Sequence, residues 1–131
     1  MTLRCLIVDD NTRYREAARA LLVREGVDVV AVAKNGQEAE WLARRFRPDV
    51  VLVDIHLGAE SGFALARRLV ADARRHVPQV ILMSIHNELD FLDLIEASPA
   101  VGFIGKRSVS SAAVRELLGR DDNGVNVRRE T

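Results

Sequence analysis

Apolar runs rich in β-branched residues punctuate the chain at Leu3 to Val8, Val27 to Ala33, Val50 to Val53 and Val80 to Met83, with a shorter one at Val101 to Ile104. Runs this apolar and this short fit strands buried on both faces. Between them the hydrophobic residues change period. Tyr14, Ala17, Ala18, Leu21 and Leu22 recur at helical spacing, with Asn11 or Thr12 as the cap and Gly26 as the stop. Ala39, Leu42, Ala43 and Phe46 form a second stripe with Trp41 beside it, begun after Asn35-Gly36 and closed at Pro48. Ser61 caps a third helix, through about Ala73, whose inner face is Phe63, Leu65, Ala66, Leu69 and Val70; Arg67, Arg68, Arg74 and Arg75 read as its solvated edge. Asn87 precedes a fourth helix containing Leu89, Phe91, Leu92, Leu94 and Ile95, broken at Pro99, and Val109 to Leu118 is the last, ended by Gly119.

Five repeats of strand then helix predict an α/β fold, because parallel neighbours need a crossover of about this length. The expected architecture is an open five-stranded parallel sheet, order 2-1-3-4-5, with helices on both faces. Residues 1–118 form one domain. Residues 119–131 are polar and turn-rich, like a tail or the start of a linker.

Composition narrows the class. With 131 residues the chain has room for one domain and its core. It is 48% hydrophobic and 29% charged, with 19 basic and 19 acidic residues, so no global field favours nucleic acid or a membrane surface. No apolar run approaches the roughly 18 residues of a membrane span, and the N-terminus lacks a secretion-signal pattern. A cytoplasmic location is the expectation. The single cysteine, Cys5, lies inside the first apolar run and reads as a small core residue.

The residues that end the strands change the picture further. The first run stops at Asp9-Asp10, the third at Asp54, the fourth at Ser84, and the fifth is followed by Gly105-Lys106. In a parallel sheet these ends share one edge, where ligands bind at the switch in strand order. Taken singly, each acid or hydroxyl is also a good turn residue or helix cap. Capping does not explain why acids, hydroxyl and amine follow the right strands of one sheet. Three converging carboxylates repel one another unless a proton or a cation intervenes. An oxygen-only set suits a hard ion, Mg²⁺ or Mn²⁺, with phosphate as a further ligand. Lys106 stands out because the chain has 17 arginines and only one other lysine, Lys34, which suggests a need for a compact ammonium.

These residues resemble the receiver domain of bacterial two-component response regulators, over essentially residues 1–118. The matching motifs are Leu6-Ile7-Val8-Asp9-Asp10, Val51-Leu52-Val53-Asp54 with Ser61-Gly62, Ile81-Leu82-Met83-Ser84, and Gly102-Phe103-Ile104-Gly105-Lys106. The resemblance implies a flavodoxin-like receiver fold in which Asp54 accepts a phosphoryl group from a phosphohistidine. It also implies Mg²⁺ held by Asp10, Asp54 and the backbone carbonyl of His56, with Asp9 assisting through water, Lys106 pairing with the phosphoryl group and Ser84 hydrogen-bonding it. Phe103 matches an aromatic switch position whose ring turns inward as Ser84 moves, altering the surface of the fourth helix, fifth strand and fifth helix. His56, Ile85 and His86 stand where this family tunes the lifetime of the phosphate. The chain departs from the pattern at Gly58, Ile85 and Arg107.

The implied partners are a sensor histidine kinase or phosphotransfer protein and a downstream effector domain or protein. A homodimer is compatible, nucleic acid enters only through an effector domain absent from this chain, and no membrane contact is implied. The only enzymatic activity implied is the chain's own aspartyl phosphorylation and dephosphorylation. Two other readings are a receiver-like interaction module that is not phosphorylated and an aspartate-nucleophile phosphohydrolase. The second expects an Asp two positions after the nucleophile, where this chain has His56. A zinc-type site from the two histidines and nearby acids lacks a spacing that fixes tetrahedral geometry.

Overall fold

A computed structural model describes residues 2–73 and 75–119, together with the backbone of residues 126 and 127. Its centre is a parallel sheet of β1 (Arg4–Val8), β2 (Asp28–Ala33), β3 (Val50–Asp54), β4 (Gln79–Ser84) and β5 (Gly102–Gly105). The spatial order is β2-β1-β3-β4-β5, the expected one, with the strands that end at Asp9-Asp10 and Asp54 side by side. A two-residue strand, β6 (Asn126–Val127), pairs parallel with Gly102 and Phe103 on the outer edge of β5. Part of the segment expected to be a tail therefore joins the sheet; its residues 120–125 and 128–131, like Arg74, lie outside the described residues.

Side chains alternate between the two faces, as a strand's period of two requires. Leu6, Val8, Val51, Val53, Val80, Leu82 and Phe103 pack on one side. They meet Ala39 of α2 (Gly36–Phe46), Leu65, Ala66 and Leu69 of α3 (Gly62–Asp72), and Ile95 of α4 (Leu92–Glu96). Cys5, Ile7, Val50, Leu52, Ile81, Met83 and Ile104 face the other side. There they pack against Ala18 and Leu22 of α1 (Thr12–Arg24) and Ala113, Val114 and Leu117 of α5 (Ser111–Leu118). Every residue of β3 is buried, and each such aliphatic side chain contributes about 1.5–3 kcal/mol. That burial sets the height at which Asp54 ends the strand.

The helix starts are local. Asn11 Oδ1 accepts from Tyr14 N–H, Asn35 Oδ1 from Glu38 N–H, and Ser61 Oγ from Phe63 and Ala64 N–H. Each such cap is worth about 1 kcal/mol. Four expectations change. The fourth helix is not continuous: Asn87 opens a 3-10 turn over Glu88–Phe91, and the five residues of α4 follow. A helix that short buries only Ile95, and Leu89 and Leu94 are 63% and 54% exposed. The last helix starts at Ser111, not Val109, because a 3-10 turn takes up Lys106–Ser108 and Ser110 Oγ caps Ala113 N–H. Arg68, expected on the solvated edge, stays 40% exposed but also pairs through its guanidinium with Glu40 at 3.1 Å and Glu60 at 3.0 Å. The loop after Asp54 is a small hairpin, His56–Leu57 against Glu60–Ser61. Trp41, beside the second stripe, is 56% exposed. No described helix is long and apolar enough to cross a membrane.

Candidate functional site

Strand register brings the predicted residues together. Val8 lies opposite Val53, Asp54 opposite Met83, and Ser84 opposite Gly105, so the residues at or just beyond these ends share one rim. Asp9 is 0% exposed, Asp54 5% and Ser84 1%, while Asp10 faces solvent. Three of them make the same local bond to the backbone two residues on. Asp9 Oδ1 accepts from Asn11 N–H at 2.8 Å, Asp54 Oδ1 from His56 N–H at 3.0 Å, and Ser84 Oγ from His86 N–H at 2.9 Å. The turn role of these residues therefore does not exclude their placement at the shared rim. One oxygen of each carboxylate shapes the turn, and the other is directed at the site.

Those second oxygens meet at Lys106. Its Nζ lies 2.6 Å from Asp9 Oδ2 and 3.0 Å from Asp54 Oδ2. Asp9 Oδ2 is buried, with the Lys106 ammonium as its close partner. Asp9, Asp10 and Asp54 each offer an oxygen within 4.8 Å of the others. Three carboxylates that close, two of them buried, fit a hard divalent cation. His56 and His86 are not part of any such group among the described residues.

Burial pushes the Asp54 carboxyl above its usual pKa; the His56 N–H and Lys106 oppose this, and the charge of Asp9 adds to it. For Lys106 burial works against the ammonium, but the hydrogen bonds and charges of Asp9 and Asp54 outweigh it and its pKa rises. The pair is thus poised unequally: the lysine holds its proton, and the aspartate is less comfortable as an anion than a solvated one.

Two glycines let the backbone close around Asp54. Gly58, in the turn of the hairpin, has φ +63°, and a Cβ there would lie 3.6 Å from Asp10 Oδ2. That conformation is open to glycine and closed to the proline usual at this position in the resembled family. A Cβ on Gly62 would collide with the carbonyl oxygen of Asp54 and sit 2.8 Å from Ile55 Cα. The first residue of α3 can therefore approach the strand end only as glycine.

The mouth is lined by rings. His56 and His86 stand edge to face at 5.5 Å, and Phe91 lies 5.6 Å and 6.3 Å from them. Ile85, between Ser84 and His86, is 72% exposed. Phe103 is 2% exposed, so its ring already points inward. A cavity of about 330 Å³ at the other end of the sheet is lined by Arg44, Arg47, Pro48, Leu69, Arg75 and His76, and no strand-end residue reaches it.

Three further residues, which the sequence does not place at the site, touch it or brace the hairpin beside it. Arg15 Nη1 donates to the Asp9 carbonyl at 2.6 Å. Glu60 ties the hairpin to α2 by accepting from Gly36 N–H at 2.7 Å. Tyr14, assigned to the apolar stripe of the first helix, donates its hydroxyl to the Lys106 carbonyl at 2.7 Å. The available signal was position: Tyr14 is the only tyrosine, one helical turn beyond Asp10.

The model of the response regulator receiver domain matches residues 5–118. A protein-glutamate methylesterase/protein-glutamine glutaminase of Archaeoglobus fulgidus is 31% identical, over 97% of this chain and 38% of its own length. Transcriptional regulatory protein LnrK of Bacillus subtilis is 28% identical, over 94% of this chain and 56% of its own. The chain thus spans between about two fifths and little more than half of these curated relatives. Among solved structures, the signal receiver domain of the putative response regulator NarL from Mycobacterium tuberculosis superposes with a TM-score of 0.77 at 28% identity, covering 91% of this chain and 98% of that one. A response regulator from Thermotoga maritima gives a TM-score of 0.75 at 28% identity, covering 91% and 99%.

Proposed function

The chain belongs to the response regulator receiver domain family, and from that premise we propose that Asp54 is its phosphoacceptor, charged by a sensor histidine kinase or a phosphotransfer protein. The observation that carries this reading is the Lys106 ammonium held 3.0 Å from Asp54 Oδ2, at the rim where three carboxylates converge.

In the proposed step an Asp54 oxygen attacks the phosphorus of a partner's phosphohistidine in line. The P–O bond forms as the P–N bond breaks, and the imidazole leaves with the electron pair and takes up a proton. Positioning and charge neutralisation supply most of the acceleration. Lys106 turns from the Asp54 carboxylate to an oxygen of the arriving phosphoryl group, remaining paired with Asp9. The acidic set fits Mg²⁺ or Mn²⁺, which Asp10, Asp54 and the His56 carbonyl would hold with Asp9 assisting, and such an ion would neutralise phosphoryl charge. Ser84 exchanges the His86 N–H for a phosphoryl oxygen to which its own hydroxyl donates.

That exchange is also the proposed readout. Movement of Ser84 frees the turn at Ile85-His86 and locks Phe103 in its inward packing, which changes the surface made by α4, β5 and α5. Relatives named as methylesterases and as transcriptional regulators share this segment. A common phosphoacceptor controlling different effectors, or a second copy of the chain, accounts for that spread.

The test is incubation with an acyl phosphate and Mg²⁺, followed by intact mass. The expected result is one phosphoryl adduct, absent from Asp54→Asn. Consumption of the donor with no adduct would turn the assignment toward a phosphohydrolase, and no reaction at all toward an unphosphorylated interaction module.

A further inference from the structure

Lysine is a flexible side chain, and an ammonium that must meet a phosphoryl oxygen needs to be held in place before the group arrives. Asp9 and Asp54 attract the Lys106 ammonium, but both are also candidate cation ligands. Their grip weakens when a divalent ion or a phosphoryl group takes their oxygens. A second support is therefore needed that does not compete for the same atoms.

Tyr14 supplies one, and it touches Lys106 at both ends. Its hydroxyl donates to the Lys106 backbone carbonyl at 2.7 Å, and the Lys106 Nζ lies 4.7 Å from the centre of its ring. The ring itself is anchored. Tyr14 N–H donates to the Asn11 cap at 3.0 Å, and its hydroxyl lies 3.9 Å from Met83 Sδ on the strand that ends in Ser84. Burial, together with the charges of Asp9 and Asp54, raises the Tyr14 pKa, so the hydroxyl stays a donor.

We propose that Tyr14 is a positioning residue for phosphoryl transfer: its ring face and hydroxyl hold Lys106 aimed at Asp54 while cation and phosphoryl group occupy the carboxylates. This rests on the phosphoacceptor reading above. Cation–π attraction at a partly buried site corresponds to roughly 2- to 30-fold in an equilibrium or a rate. Tyr14→Leu is therefore expected to slow adduct formation from an acyl phosphate by roughly tenfold at saturating Mg²⁺. Tyr14→Phe, which keeps the ring and loses the carbonyl bond, falls between that variant and the wild type.

A second readout separates positioning from general damage. The chain has two lysines, Lys34 and Lys106, so ¹³C-labelled lysine gives two resolvable ε-methylene signals. The Lys106 signal is expected upfield, from the ring current, in wild type and Tyr14→Phe, and at its ordinary position in Tyr14→Leu. Lys34 serves as the internal control. Should the leucine variant fail to fold, Tyr14→Met takes its place with the same expected outcomes. A folded Tyr14→Leu or Tyr14→Met that matches the wild-type rate, or that leaves the Lys106 signal in place, overturns the assignment. If the wild type forms no adduct, the phosphoacceptor reading fails, and the lysine signal still decides whether Tyr14 holds Lys106.

Discussion

The Lys106 ammonium approaches Asp54 Oδ2 to 3.0 Å, yet the Asp54 carboxyl still titrates above its usual range because burial outweighs the lysine's attraction. Ionised, this aspartate detracts from the stability of the fold. Between its ordinary pKa and its raised one, the folded state binds more protons than the unfolded state, so stability declines as pH rises through that window. Asp54→Asn is therefore expected to unfold at higher urea than the wild type at neutral pH in metal-free buffer. The gain shrinks as pH falls below the ordinary carboxylate pKa. A variant no more stable at pH 7 than the wild type would contradict this.

The lifetime of the proposed adduct is expected to depend on the residues at the mouth of the site. Ile85 is 72% exposed beside Ser84, and His86 donates its N–H to Ser84 Oγ. Ile85→Ala opens a path for water and is expected to shorten the half-life of the phosphorylated protein. His86→Ala removes a ring that packs against His56 at 5.5 Å and is expected to act in the same direction. A barrier change of about 1 kcal/mol makes each effect roughly fivefold. Loss of adduct after removal of the donor measures it, and unchanged half-lives in both variants would exclude the two residues from tuning.

Gly62→Ala is expected to destabilise the fold, because the added methyl group meets the Asp54 carbonyl and the Ile55 Cα across the start of α3. Forcing that contact costs roughly 1–3 kcal/mol. The loss should appear as a lower urea midpoint with an unchanged denaturant slope. Adduct formation should also fall, since the backbone that shifts is the one carrying Asp54.

Burial pushes the Cys5 thiol up to about 12, and the residue is 1% exposed. In the native protein it is expected to resist alkylation at pH 8 and to react fully once urea unfolds the chain. Rapid native modification would mean that β1 opens far more readily than its packing implies.

Much of this protein is legible in its sequence. Apolar runs such as Val50 to Val53 specify buried strands, the helical stripes between them specify crossovers, and Asn11, Asn35 and Ser61 cap helices by purely local hydrogen bonds. Crossovers make the strands parallel, so their carboxyl ends share one edge, and convergence of Asp9, Asp10, Asp54, Ser84 and Lys106 at one rim follows. What only the tertiary structure decided are contacts between residues far apart in the chain. Tyr14 sits under Lys106 across 92 positions, Arg68 pairs with Glu40 across to α2, and the fourth helix shrinks to five residues. Periodicity reports which face a residue occupies but not which partner waits there. Asp54 shows both levels at once: its place at the end of β3 is local, whereas its raised proton affinity is a balance among burial, Lys106 and Asp9 that exists only after the strands have met.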